Sequence, residues 1–308
     1  MRLILLGPTA SGKTELSLQL AEELEIPIIS VDSRQCFKHL DIGTAKPKQE
    51  ELDRVQHYNI SNIELDERDS VQDFLERAEA WEKEILTDHA HSLFVGGSTL
   101  HLQSLIRPIE DLPSANPQNI SELHQRIDEE GIEALYNELK AVDPSYVQTM
   151  DGMNKQRIIR ALDVWMQTGK PFSSFHSNDE FKLPSNTLVF GMHQPREVLY
   201  DRINARVDNM MDEGLLEETE KVLSMGYSKD LQPLNAVGYR EMIAVLEGTM
   251  TKAEAVEKMK TQTRRYAKRQ LTWYRRWDFI KWLPANEKKT PELKEIVLSD
   301  LAAMQHKP

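Results

Sequence analysis

Arg2-Leu3-Ile4-Leu5-Leu6-Gly7-Pro8-Thr9-Ala10-Ser11-Gly12-Lys13-Thr14 is an apolar run that breaks into a glycine-bearing loop. Gly7 to Thr14 matches G-x-x-x-x-G-K-[ST]. Beyond it, Leu16, Leu20 and Leu24 recur at helical spacing, so Glu15–Leu24 reads as a helix. Strand, loop and helix in that order are the context such a loop needs. The glycines let backbone N–H groups converge on phosphate oxygens, and the helix N-terminus adds a favourable dipole. Lys13 supplies a point charge, and the Thr14 hydroxyl is a candidate Mg²⁺ ligand. The pattern implies a polyphosphate ligand without saying which one.

Working outward, Ile26–Val31 and Ser92–Val95 read as buried strands, with a helix over Val71–Leu86 between them. Thr187–Met192 reads as another strand. Buried strands alternating with helices imply a parallel sheet covered on both faces. The pattern changes after Pro108, where Pro113, Asn116 and Pro117 mark a boundary. Ile120–Glu130, Ile132–Ala141 and Asn154–Gln167 read as helices, and Gly169–Pro184 as a loop. The organisation expected is an α/β core, residues 1–112 and 187–308, interrupted by a small all-helical insert at 113–186. The remainder of the core reads as helical: Arg196–Met211, Leu215–Ser224, Tyr239–Leu246 and Lys252–Trp277. The tail after Pro284 carries no readable function, and no internal repeat is visible.

The 308 residues are 40% hydrophobic and 29% charged, the balance of a globular protein rather than a disordered or membrane chain. No apolar run reaches the length that spans a bilayer. The N-terminus lacks a full apolar h-region and a cleavage site, so no signal peptide is expected. Cys36 is the only cysteine, which excludes an intrachain disulfide and a multi-cysteine zinc site and fits a reducing cytoplasm. The net charge of −12 argues against nucleic acid until its distribution is considered. Six basic residues and no acidic one lie between Arg264 and Arg276, while Glu76–Glu84 and Asp128–Glu138 are acid-rich.

Three further groups carry chemistry. Asp32 follows the second strand, at the end where open parallel sheets bind ligands. By position it is a metal ligand, a general base or the cap of a following turn. Gly96-Gly97-Ser98-Thr99 follows the third strand, where phosphoryl-transfer enzymes usually have an acid. It offers hydroxyls and backbone donors, although spacing alone reads it as a plain tight turn. In the basic segment, Tyr266, Trp273 and Trp277 share one narrow helical face, read here as core packing. Arg265, Arg269 and Arg276 lie beside it, with Arg264, Lys268 and Arg275 opposite. In so acidic a chain this basic arc points to phosphate contacts. Lys155, Arg157 and Arg160 form a second basic group. His57, His101 and His193 show no ligand spacing and read as ordinary residues.

Taken together, these motifs resemble the tRNA dimethylallyltransferases over most of the chain. The resemblance rests on Gly7–Thr14, on Asp32-Ser33-Arg34-Gln35 and on Asp41-Ile42-Gly43-Thr44-Ala45-Lys46-Pro47. It continues in Gln156-Arg157-Ile158-Ile159-Arg160-Ala161-Leu162 and in Arg206, Met210, Gly214 and Leu215. It closes with Ala236-Val237-Gly238-Tyr239 and Ala267-Lys268-Arg269-Gln270-Leu271-Thr272-Trp273. The resemblance implies a P-loop NTPase-like α/β core with a helical, tRNA-binding insert. It implies transfer of a dimethylallyl group from dimethylallyl diphosphate to N6 of adenosine 37, next to the anticodon. Gly7, Pro8, Thr9, Ala10, Ser11, Gly12, Lys13 and Thr14 would hold the diphosphate, with Mg²⁺ on Thr14. Asp32 would be the general base, and Lys13, Arg206 and Ser98 would complete the catalytic set. Asp32, Ser33, Arg34 and Gln35 would line the channel for the adenine. Gln156, Arg157, Ile158, Ile159 and Arg160 would hold the tRNA, as would Asn235, Ala236, Val237, Gly238, Tyr239 and Arg240. Lys268, Arg269, Gln270, Leu271, Thr272, Trp273, Tyr274 and Arg275 would complete that surface. A cytoplasmic monomer of bacterial type is expected, without the zinc finger of eukaryotic relatives.

The sequence departs from the family pattern in places. The usual Gly-Gly-Thr-Gly-Leu-Tyr is here Gly96-Gly97-Ser98-Thr99-Leu100-His101. Cys36-Phe37 replaces an aliphatic-Tyr pair, and Ile120 falls near where relatives carry a tRNA-contacting arginine. The principal rival is a P-loop kinase of a nucleotide or small metabolite, which shares the loop and the sheet but not the basic helix. A prenyltransferase of free adenine nucleotides would not need the RNA-side motifs. A non-catalytic RNA-binding module would not need Lys13, Thr14 and Asp32.

Overall fold

The computed structural model describes residues 1–107, 112–175 and 183–305. In chain order its elements begin β1 (Arg2–Leu6), α1 (Lys13–Leu24), β2 (Ile28–Val31), α2 (Gln49–Arg54) and β3 (His57–Tyr58). Next come α3 (Val71–Asp88), β4 (Ser92–Gly96), α4 (Thr99–Ile106), α5 (Pro117–Glu130), α6 (Ile132–Val142), α7 (Pro144–Gln148) and α8 (Lys155–Thr168). The chain continues through β5 (Thr187–His193), α9 (Arg196–Asp212), α10 (Leu215–Ser224), α11 (Tyr239–Leu246), α12 (Lys252–Tyr274), β6 (Lys281–Pro284) and α13 (Thr290–Gln305). These fall into two compact units, Met1–Ile106 with Leu183–Pro308, and Arg107–Lys182.

The first unit is built on one parallel sheet of order β3-β2-β4-β1-β5-β6. β1 is central and buried on both faces, which is why it reads as unbroken apolar sequence. Leu3 and Leu5 point into a core with Leu16, Leu20, Phe190, Leu293 and Val297, so α1 and α13 cover that face. Leu6 is level with Gly96 and Gly191, and Val31 with Gly96. The carboxyl ends of β1, β2 and β4 therefore finish level, with β5 running two residues further, and the loops after β1, β2 and β4 meet there. A second core gathers Phe37, Leu40, Val207, Leu215, Tyr239, Met242 and Met259, holding α9 to α12 around the segment after β2. The second unit packs Leu123, Leu135, Leu139, Ile158 and Leu162 into a core of its own. No helix among the described residues is long and apolar enough to cross a membrane.

Two strands depart from the sequence reading. β3 has only two residues, and β6 pairs Phe190 to His193 of β5 with Lys281 to Pro284. Both are edge strands too short for a periodic signal, and Pro284 sits at an end of an edge strand, where a missing N–H costs no ladder bond.

Candidate active site

The loop after β1 has the geometry an anion needs. Gly12 takes φ 94°, a left-handed conformation open to glycine, immediately before α1. No side chain caps α1, so the N–H groups of its first turn remain available. Lys13 folds back and donates from Nζ to the carbonyl oxygens of Gly7 (3.0 Å) and Pro8 (2.8 Å). Burial lowers its pKa to about 7, the Arg206 guanidinium pushes the same way, and Asp32 opposes both. Burial also lowers the pKa of Arg206, again against Asp32. Lys13, Arg206 and Asp32 thus share one electrostatic environment. Thr14 is exposed beside them.

Asp32 turns the chain after β2, its Oδ1 accepting the N–H groups of Arg34 (2.8 Å) and Gln35 (3.2 Å). Buried Asn59 fixes the strand end by donating Nδ2 to the Ser30 carbonyl at 2.9 Å. Gln35 is held at both ends of its amide: Oε1 accepts from Ser30 Oγ (3.0 Å) and Nε2 donates to the Ala45 carbonyl (3.0 Å). Arg34, whose pKa burial lowers, donates to Gln232 Oε1 at 2.9 Å.

The Gly96–Thr99 turn is more than a plain tight turn. A Cβ on Gly97 would lie 2.6 Å from Gln270 Nε2, so a larger residue here would displace the Gln270 amide from its place against the turn. The Gly97 carbonyl accepts from Gln270 Nε2 (2.6 Å) and from the Tyr274 hydroxyl (2.7 Å). The side-chain carbonyl of Gln270 in turn accepts the N–H of Thr9 at 3.1 Å. One side chain of α12 therefore joins the turn after β4 to the loop after β1. Ser98 donates its N–H to the Val31 carbonyl at 3.3 Å, which sets it beside Asp32. Its hydroxyl lies 2.8 Å from His101 Nδ1.

Asp41–Pro47 is held from two sides. The Glu218 carboxylate accepts the N–H groups of Asp41 (3.1 Å), Ile42 (2.9 Å) and Gly43 (3.3 Å), and the Tyr239 hydroxyl at 2.6 Å. Lys46 donates to Asp41 Oδ1 (2.7 Å), Ser61 Oγ (2.7 Å) and the Phe37 carbonyl (2.6 Å). The motif's charged residues thus shape their own loop. Buried Cys36 beside it has its thiol pKa pushed up to about 12, first by burial and then by Asp69 and Asp32, which leaves it unreactive.

α12 corrects one expectation. Its buried face is Ala255, Met259, Ala267, Gln270 and Tyr274, whereas Tyr266 is 40% exposed and Trp273 and Trp277 are half-buried. The aromatic stripe flanks the buried face rather than forming it, because small Ala267 and polar Gln270 are what fit against the turn after β4. The Tyr266 hydroxyl has its pKa raised to about 12, first by burial and then by Asp32, so that end of the side chain lies within electrostatic reach of Asp32. Arg269 lies over its ring.

The residues expected to hold tRNA divide by orientation. Lys268, Arg269, Thr272 and Arg275 are exposed, as are Asn235 and Arg240, the latter paired with Glu241. Gln270, Tyr274 and Tyr239 are buried and act on the loops described above, and Leu271, Ala236 and Val237 pack against the cores. In the second unit Gln156 and Arg157 are exposed, while Ile158 and Ile159 belong to its core. Arg160 is tied to Asp163 and to the Pro113 carbonyl. A run that makes a helix must send part of itself inward, so only part of each motif can meet a ligand. Two contributors escaped the sequence reading: His101, which carried no ligand spacing, and Glu218, distant in sequence from the loop it holds.

The chain has relatives in sequence and in fold. The family described as IPP transferase matches residues 35–277. A tRNA dimethylallyltransferase of Salinibacter ruber is 42% identical over 300 residues, covering 97% of this chain and 92% of that protein. The tRNA isopentenylpyrophosphate transferase of Bacillus halodurans superposes with a TM-score of 0.71 at 35% identity, covering 99% of this chain and 97% of the other. A tRNA delta(2)-isopentenylpyrophosphate transferase of Staphylococcus epidermidis gives a TM-score of 0.70 at 32% identity, covering 98% and 99%. A family match over most of the chain and relatives of this identity leave one conclusion: the chain belongs to the IPP transferase family.

Proposed function

We propose that the protein transfers a dimethylallyl group from dimethylallyl diphosphate to N6 of adenosine 37 in tRNA. The observation that carries this reading is the meeting of Lys13, Arg206, Asp32 and Ser98 at the ends of parallel strands, beside a helix with an exposed basic face.

An adenine amine is a weak nucleophile because its lone pair is delocalised into the ring. A carboxylate that accepts its proton as the bond forms lowers that barrier. Asp32, whose Oδ1 is held by the turn, would serve as that base. As the N6–carbon bond forms, the carbon–oxygen bond to the diphosphate breaks and its electron pair goes to the diphosphate. The loop N–H groups, Lys13 and Arg206 stabilise the charge that develops there. Lys13 would exchange the Gly7 and Pro8 carbonyls for phosphate oxygens. The adenine would have to leave its stack to reach Asp32, and the exposed basic residues of α12, with Gln156 and Arg157 of the second unit, would contact phosphates.

Mg²⁺ fits this site through the exposed Thr14 hydroxyl together with diphosphate oxygens, an all-oxygen donor set. No group of three or more His, Cys, Asp or Glu able to hold a metal occurs among the described residues, so the ion would be held jointly with the substrate. When bound it would neutralise charge on the leaving diphosphate. The test is incubation with dimethylallyl diphosphate and unmodified tRNA, followed by nucleoside mass analysis. The expected product is an adenosine heavier by one dimethylallyl group, with ATP supporting no reaction. Phosphate transfer from ATP without prenyl transfer would sink the reading.

A further inference from the structure

Ser98 immediately precedes α4, where a serine hydroxyl ordinarily accepts an N–H of the first helical turn. Here the hydroxyl lies 2.8 Å from Nδ1 of His101 instead. The i, i+3 spacing brings the two side chains onto one face. His101 is 7% exposed and its ring packs 4.7 Å from that of Phe74, so it has little freedom to turn away. Ser98 is equally fixed, its N–H on the Val31 carbonyl and its carbonyl accepting the Leu102 N–H at 2.9 Å. Burial lowers the His101 pKa to about 4; Asp69 and Asp32 oppose this, while Arg34 and Arg77 add to it. The ring is therefore neutral near pH 7, with one donor nitrogen and one acceptor nitrogen.

On the footing of the prenyl-transfer reading, we propose that His101 is a positioning residue whose Nδ1 accepts the Ser98 hydroxyl proton and turns the Ser98 lone pairs toward the adenine amine. That amine has two N–H groups. One proton passes to Asp32 as the N6–carbon bond forms and the diphosphate departs with its electron pair. The other N–H donates to Ser98 Oγ throughout. Held in this way, the amine keeps its lone pair aimed at the allylic carbon. A hydroxyl free to rotate would instead donate to that lone pair and oppose attack.

The test is a double-mutant cycle on the single-turnover rate with tRNA and dimethylallyl diphosphate. His101→Phe keeps a ring against Phe74 but removes the acceptor, and His101→Asn restores one. Loss of one neutral hydrogen bond predicts a rate lower by about 3- to 10-fold in His101→Phe, with both substrate affinities unchanged. His101→Asn should recover most of that loss, and His101→Phe should cost nothing further in a Ser98→Ala background. ¹⁵N NMR of histidine-labelled protein should show Nδ1 unprotonated and perturbed by Ser98→Ala. An equal loss from His101→Phe in both backgrounds, or a protonated Nδ1, overturns the proposal. A wild-type protein that transfers no prenyl group overturns the reading beneath it, and the tautomer separates the two failures.

Discussion

The side-chain carbonyl of Gln270 accepts the backbone N–H of Thr9 at 3.1 Å, while the same amide donates to the Gly97 carbonyl at 2.6 Å. α12 thus braces the phosphate loop from behind while presenting basic residues on another face. Gln270→Leu keeps the volume and removes both bonds. With Gln270 only 2% exposed, a destabilisation of about 1–3 kcal/mol is expected from the stranded polar groups. Diphosphate binding should weaken and tRNA affinity should hold. Thermal unfolding and titration calorimetry check the two effects, and an unchanged diphosphate affinity would show that the brace is only structural.

Asp32→Ala should lower the single-turnover rate by about 10²–10⁴-fold, the range of a positioned general base. tRNA binding should change little, since the carboxylate is needed only as the proton leaves. A rapid-quench rate near that of wild type would assign the proton to another group.

Arg269→Ala with Arg275→Ala tests the basic face of α12. Each phosphate deprived of its arginine reduces the slope of log affinity against log salt by roughly 0.7–0.9, so the pair should flatten it by about 1.4–1.8. Donor affinity should stay the same. An unchanged slope across several salt concentrations would make this face merely solvated.

Lys13 makes donor binding depend on pH. Burial and Arg206 hold its pKa at about 7 in the empty site, and a bound diphosphate stabilises the charged form. Above pH 7 the complex therefore holds a proton that the free protein lacks. Binding at pH 8 should take up close to one proton, and affinity should fall as pH rises from 7. Folding has the opposite sign, because the unfolded chain binds more protons between pH 7 and the ordinary value of 10.5. Stability rises across that window. Calorimetry of diphosphate binding in buffers of different ionisation enthalpy measures the uptake. Lys13→Met should abolish it.

The sheet and the phosphate loop were legible because their signals are local. β1 is apolar on both faces, and the glycines and Lys13 fall within eight residues. The long helices were legible from their period. What escaped depends on residues far apart. β6 exists only by pairing with β5, and four residues ending in Pro284 show no period. Tyr266 reads as a core residue from the helical face it shares with Trp273 and Trp277, yet Ala267 and Gln270 take the buried face because a glycine turn approaches there. His101 has no ligand partner in sequence, and its meaning comes from a serine one helical turn away. The Asp41–Pro47 motif carried only a resemblance in the sequence, and its role shows in the fold, where Lys46 and Glu218 are committed to holding the loop itself.

The bonds that close the site also set when it can come into being. Thr9 meets Gln270 across 261 residues, Gly97 meets Tyr274 across 177, and Gly43 meets Glu218 across 175. Contacts of such separation form late, after the loop-closure entropy has been met by other packing. During synthesis the phosphate loop leaves the ribosome well before the helix that braces it, since 261 residues separate Thr9 from Gln270. A nascent chain can therefore carry Gly7–Thr14, Asp32 and Ser98 and still lack a working centre. Competence waits for α12, so a message cut short before it yields no half-active product.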